Sequence, residues 1–257
     1  MKGLSRRDLL KAGAAGAALT VPGTSGYAQE ADTRPMPPER PDGPLDTALE
    51  YGRDEDVLLW FKPDEAKFVE AAIARLIPAD DEWPGAKEAG VLVYIDRQLS
   101  GAYGSGARMF LNGPWKPDAP PQQGYQLRYT PAELYRLGIK QTREWLGERD
   151  DRELWDMEDA EIDEVLSALE SGKAQLPSVP APVFFETLLA NTVEGWFADP
   201  VYGGNRDMVS WRMVGFPGGY AQYLELVDNY NYRYDREPMG IAGGAALFAQ
   251  QARKEDG

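Results

Sequence analysis

For chemistry this 257-residue chain offers carboxylates and little else: it has 42 aspartates and glutamates, no histidine and no cysteine. Two carboxylates can run general acid–base catalysis when their surroundings split their pKa values. Two groupings qualify by spacing: Asp80, Asp81 and Glu82 in "PADDEWPG", and Glu186 with Glu194, which fall on roughly one side of a helix. A strongly acidic chain also yields such pairs by chance, as solvated faces. "PADDEWPG" has oxygens for a hard cation but not the ordered ligand spacing of a calcium loop, so it reads as a turn.

Other chemistries are excluded by composition. Without His and Cys there is no haem attachment, no iron–sulfur ligation and no usual zinc site. The glycines of "GAYGSG" (Gly101 to Gly106) have the wrong spacing for a dinucleotide fingerprint and follow a helix rather than a strand. No G-x-S-x-G elbow occurs, and a serine nucleophile would lack a histidine base. The sequence therefore assigns this chain no catalytic residue, no metal ligand and no cofactor of its own.

The elements that would carry any site are helices. "KPDEAKFVEAAIARLIP" (Lys62 to Pro78) sets Val69, Ala72, Ile73, Leu76 and Ile77 on one stripe and stops at proline. "AKEAGVLVYIDRQLSG" (Ala86 to Gly101) does so with Val91, Tyr94, Ile95, Gln98 and Leu99. "TPAELYRLGIKQTREWLG" (Thr130 to Gly147) opens with Thr130 as N-cap, Pro131 in the first turn and Glu133 closing a capping box. Its stripe is Tyr135, Ile139, Thr142 and Leu146. "MEDAEIDEVLSALESG" (Met157 to Gly172) has an acidic first turn, a stripe of Ile162, Val165, Leu166 and Leu169, and a terminal glycine. "APVFFETLLANTVEGWF" (Ala181 to Phe197) is largely apolar all round. Residues 113–128 are a loop by composition, and strand-like alternation occurs once, in "NYNYRY" (Asn229 to Tyr234). The fold predicted is mainly α, an irregular multi-helix domain with long loops.

The N-terminus is an export signal. "LSRRDLLKAGAAGAALTVPGTSGYAQE" joins a basic start to a weakly apolar run and a small-residue end at Ala28, and Arg6-Arg7 inside "SRRDLLK" is the twin-arginine pattern. The apolar run is far short of the ~20 residues a membrane-spanning helix needs. Residues 1–28 are thus read as signal, 29–60 as an extended Pro-rich tether, and 61–257 as the helical domain, exported to the periplasm. Cleavage removes Lys2, Arg6, Arg7, Lys11 and Asp8, leaving 23 basic against 41 acidic residues, a net charge of −18. Nucleic acid is excluded as a partner on that balance.

Aromatics cluster late in the chain, with ten of the 28 between Trp196 and Tyr234. One reading of "WFADPVYGGNRDMVSWRMVGFPGGY" (Trp196 to Tyr220) is a core layer with glycine turns and Asp199 or Asp207 paired to Arg206 or Arg212. The other is a binding surface, because Trp, Tyr and Arg dominate interface hot spots. On that reading the partner contacts are Trp196, Tyr202, Arg206, Trp211 and, on an extended arm, Tyr230, Tyr232 and Tyr234.

"NTVEGWFADPVYGGNRDMVSWRMVGFPGGY" (Asn191 to Tyr220), "FVEAAIARLIPADD" (Phe68 to Asp81) and the twin-arginine start together resemble the gluconate 2-dehydrogenase subunit 3 family, over roughly Asp64 to Tyr234. The resemblance implies a small gamma subunit without catalytic residues. Its partners would be a large FAD-dependent subunit of the glucose–methanol–choline class, in some complexes a multihaem cytochrome c, and the twin-arginine translocase. Twin-arginine export normally serves folded, cofactor-loaded cargo, and the resemblance implies that here the FAD sits on the partner. A stand-alone periplasmic carbohydrate-active enzyme or binding protein using carboxylates is the alternative.

Overall fold

The computed structural model describes residues 57–116, 119–150, 152–219 and 237–243. The chain divides into two units, 1–46 and 47–257, and every described residue belongs to the second. Arg6 and Arg7, the tether up to residue 56, and Tyr230, Tyr232 and Tyr234 lie outside the described residues.

Six α-helices frame the described body: α1 (Pro63–Leu76), α2 (Val91–Ser100), α3 (Pro131–Asp150), α4 (Asp159–Glu170), α5 (Ala181–Phe197) and α6 (Val209–Val214). Among the described residues no strand forms, and a single parallel bridge joins Gly218 to Met239. The all-round apolar α5 is the central helix, packing against each of the other five. Its Phe184 and Leu188 are fully buried with Phe68, Ile73, Ile95, Tyr135 and Leu169 from the surrounding helices. Each such side chain contributes about 1.5–3 kcal/mol of transfer free energy before entropy is counted.

Local signals set the helix ends. The Thr130 and Glu133 capping box forms in both directions, at 2.8 and 3.2 Å. The second predicted helix starts five residues late, because Ala86–Gly90 is a turn that ends with Gly90 at φ +73°. α6 carries no signal of its own in the sequence and is considered with the site below.

Residues 58–61 run onto the body as a strap held by a buried side chain. Asp96, 1 % exposed, accepts the backbone N–H of Leu59 at 2.6 Å, Trp60 at 3.0 Å and Phe61 at 2.8 Å. Arg136 lies over the Trp60 ring at 3.8 Å, donates to the Trp60 carbonyl at 2.7 Å and pairs with Glu65. Phe61 packs edge-on against Tyr135, and Tyr135 edge-on against Phe184. The strap is thereby joined to the centre of the core.

At the start of α4, Arg152 grips Glu161 through two donors, at 2.7 and 3.0 Å, while the Glu158 N–H donates to the same carboxylate at 2.9 Å. The Arg152 hydrogen bond, and after it the Glu158 N–H, hold the Glu161 carboxyl down at about 2. A depressed folded-state pKa adds stability that is complete above the unfolded carboxylate's range and is lost as pH falls from about 4.5 towards 2. Side-chain carboxyl NMR should therefore show Glu161 titrating near pH 2. In Arg152→Ala the midpoint should rise, while staying below the ordinary value because the Glu158 N–H remains. An unchanged midpoint would assign the depression to the backbone alone.

Candidate docking surface

The segment after α5 folds into a compact knot. Gly195, near the C-terminal end of α5, is crossed by Gly204 so closely that a Cβ on Gly204 would sit 2.1 Å from the Gly195 carbonyl oxygen. The chain then passes through three non-glycine residues in the left-handed region, Asn205, Asp207 and Met208, at φ +49°, +56° and +53°. Asparagine and aspartate tolerate that region, whereas for Met208 it costs on the order of 1–2 kcal/mol. Asn205 offsets the strain. Fully buried, it donates to the Ala198 carbonyl at 2.9 Å and accepts from the backbone N–H and hydroxyl of Ser210 at 3.0 and 2.8 Å. Those last two bonds orient the first turn of α6.

Asp199 secures the returning chain. Its two oxygens accept from the Val201 N–H at 3.0 Å and the Ile241 N–H at 2.7 Å. Gly219 and Met239 each donate a backbone N–H across the Gly218–Met239 bridge, to Met239 and Pro217 respectively, both at 3.1 Å. Asp199 thus receives two backbone N–H groups, and Arg212 faces Glu237 at 3.5 Å.

The structure divides the sequence-designated interface residues. Trp196 is 2 % exposed in the core, and Trp211, 6 % exposed, donates its indole N–H to the Phe197 carbonyl at 2.9 Å. Both are consumed by packing within this chain, as the core-layer reading of the stretch expects. Arg206 is half-buried: its backbone N–H donates to the Ala89 carbonyl, and its side chain occupies the space over Gly90 that a Cβ would fill. Tyr202 is 50 % exposed and free to meet a partner. The sequence reading passed over Val193 on α5, Val214 at the end of α6, Phe216 just beyond it and Ile241 on the returning segment, exposed apolar residues that with Tyr202 make up the rim of this region. Phe216 stacks edge-on against Trp211 at 5.2 Å, which couples the exposed rim to the buried layer.

Beneath this surface lies a tyrosine cluster with no sequence signal. Asn191 accepts from the hydroxyls of Tyr135 at 2.9 Å and Tyr103 at 3.1 Å and donates to Glu194 at 3.0 Å. Burial pushes the Tyr135 and Tyr103 hydroxyls up, and pushes Tyr94 up to about 12 with help from the nearby Glu194 charge. Tyr135 and Tyr103 are neutral donors at physiological pH, suited to holding Asn191 in place. Elsewhere, Asp80 accepts the backbone N–H of Glu82 and Trp83, the turn expected for "PADDEWPG", and Glu186 and Glu194 lie exposed on α5. Among the described residues no group of three or more carboxylates is placed to hold a metal ion.

Comparison with known proteins agrees with this architecture. A twin-arginine translocation pathway signal sequence matches residues 3–23, so the chain carries an export signal. No curated protein and no solved structure matches the chain. The gluconate 2-dehydrogenase subunit 3 description matches residues 63–218, from the first residue of α1 to the Gly218 bridge. It stops short of the tyrosine arm to which the sequence resemblance was extended. A helical body matched from its first helix to the bridge that closes the knot is a member of the gluconate 2-dehydrogenase subunit 3 family.

Proposed function

We propose that this chain is the non-catalytic small subunit of a periplasmic sugar or polyol dehydrogenase, and that it exports, matures and stabilises a large catalytic subunit of the glucose–methanol–choline type. FAD belongs to that large subunit, and a multihaem cytochrome c fits as a third component. The observation that carries this reading is the pairing of a twin-arginine signal with a dehydrogenase-subunit body on one chain that has no histidine or cysteine. A signal that serves folded, cofactor-loaded cargo then makes sense as the export address of a partner. The exposed Tyr202, Val214, Phe216 and Ile241 of the knot region give that partner side chains of the kind interfaces use.

Replacing Arg6 and Arg7 by lysine tests the reading, because lysine keeps the charge but loses the planar, multi-donor guanidinium. The doubly substituted chain and the flavin subunit should both stay in the cytoplasm, still associated and still active in lysates. Periplasmic dehydrogenase activity at the normal level, with this chain retained inside, would show that the partner exports itself.

A further inference from the structure

The connection between α2 and α3 carries exposed aromatic residues of its own. It is a long excursion whose described residues hold one short helix, the 3₁₀ turn at Pro121–Gln123, and long structured loops in compact domains are usually functional. Its base is tightly made. Gly104 donates to the Gln98 carbonyl at 3.0 Å and accepts from the Ala132 N–H at 3.1 Å. Ala107 donates to Ala102 at 3.0 Å and Met109 to Gly106 at 2.9 Å. The Tyr103 hydroxyl ties this turn to Asn191 on α5. On the far side, the Lys116 N–H donates to the Gln126 side chain at 3.2 Å, and the Tyr125 hydroxyl to the Tyr129 carbonyl at 2.7 Å.

From this base residues 108–116 project as a finger. Phe110 is 80 % exposed, more than any other large apolar side chain among the described residues, and Trp115 is exposed beside the Gly113 backbone. Arg108 and Lys116, which flank these aromatics in the chain, are exposed as well. Between Gly101 and Arg128 the sequence holds Arg108, Lys116 and Arg128 against Asp118 alone, although the whole chain carries −15. An exposed aromatic pair bracketed by cations, on a backbone already fixed at its base, has the composition and preorganisation of an interface hot spot.

We propose that the finger of residues 108–116 inserts Phe110 and Trp115 into an apolar pocket with an acidic rim on the large catalytic subunit, at a site distinct from the Tyr202 rim. This rests on the accessory-subunit reading. A protein pocket is favoured over a lipid surface because the rest of this strongly acidic chain would be repelled by anionic headgroups, whereas a local acidic rim meets only the cationic finger.

The test is co-expression of the full tagged chain with the large flavin-bearing subunit, measuring flavin retained per tagged chain and the affinity between the purified partners. Phe110→Ser with Trp115→Ser should lower affinity about a hundredfold. Arg108→Glu with Lys116→Glu should lower it about tenfold at low salt and flatten its salt dependence. All four side chains are exposed, so the thermal unfolding midpoint of each variant should match the wild type, and the charge-reversal pair stands as a second test should the serine pair fold poorly. Wild-type flavin retention in both variants overturns the finger site and leaves the accessory reading intact. A wild-type chain that retains no flavin subunit overturns the accessory reading, and the finger site with it. Vesicles of phosphatidylcholine and phosphatidylglycerol supply the other control: if they bind the wild type but not the serine variant while both keep the flavin subunit, the finger is a membrane anchor and the proposal is wrong.

Discussion

Asp96→Ala is expected to lower the thermal unfolding midpoint by about 10 °C. The substitution removes the acceptor of three consecutive backbone N–H groups at an almost fully buried site. A buried donor left without a partner costs about 1–3 kcal/mol, and part of that is recovered when the strap lifts into water, so a net loss of about 3–4 kcal/mol is expected. For a domain of this size each kcal/mol moves the midpoint by about 2–4 °C. Amide exchange would locate the change: protection at Leu59, Trp60 and Phe61 should fall to that of an open segment, whereas α5 should lose only what the global destabilisation requires. Asp96→Asn keeps one acceptor oxygen but turns an amide donor towards three donors, and it should fall between the two. A midpoint within about 2 °C of wild type for Asp96→Ala would mean that the strap contributes little to the fold.

Gly204→Ala should be at least as damaging, for a steric reason. The added carbon would lie 2.1 Å from the Gly195 carbonyl oxygen, a backbone atom that no side-chain rotation can move. Either the crossing opens or α5 bends, and each outcome withdraws Asn205 from its bonds to Ala198 and Ser210. The expected loss is about 3 kcal/mol or more, in the range of severe overpacking. The same substitution at Gly147, an α3 site where the added carbon meets nothing within 4 Å, should stabilise by about 0.5–1 kcal/mol. Near-UV circular dichroism of Trp211, whose indole N–H reaches Phe197 across the knot, should collapse in the first variant and survive in the second. If the two variants unfold alike, the close crossing is not what holds the knot together.

The parts of this fold legible in the sequence are those fixed by neighbours a few positions away. The stripe Tyr135, Ile139, Thr142 and Leu146 is buried throughout, as is Ile162, Val165, Leu166 and Leu169, because helical periodicity depends only on local spacing. Asp96 escaped for the opposite reason. A charge inside a helical pattern reads as solvent-facing, and its three partners lie 35 to 37 residues upstream. α6 escaped because its six residues are held by Asn205 and Trp211, through contacts invisible to a pattern of three and four. The site was half legible. Aromatic density located the knot, but density alone does not separate a Trp that packs inward, such as Trp211, from a Tyr that faces out, such as Tyr202. Exposed Phe110 sits in a loop that has no periodic pattern to announce it.

The Gly218–Met239 bridge and the Asp199 clip hold the end of the knot against Met239 and Ile241, which lie far along the sequence. Closing a loop costs only about 0.6 kcal/mol more for each doubling of its length, so the sequence separation of two segments joined in this way weighs little against the bonds that join them. The bridge thus works as a clasp that ties the knot after α5 to a segment distant in sequence, through backbone bonds open to any residue that can take the local backbone conformation.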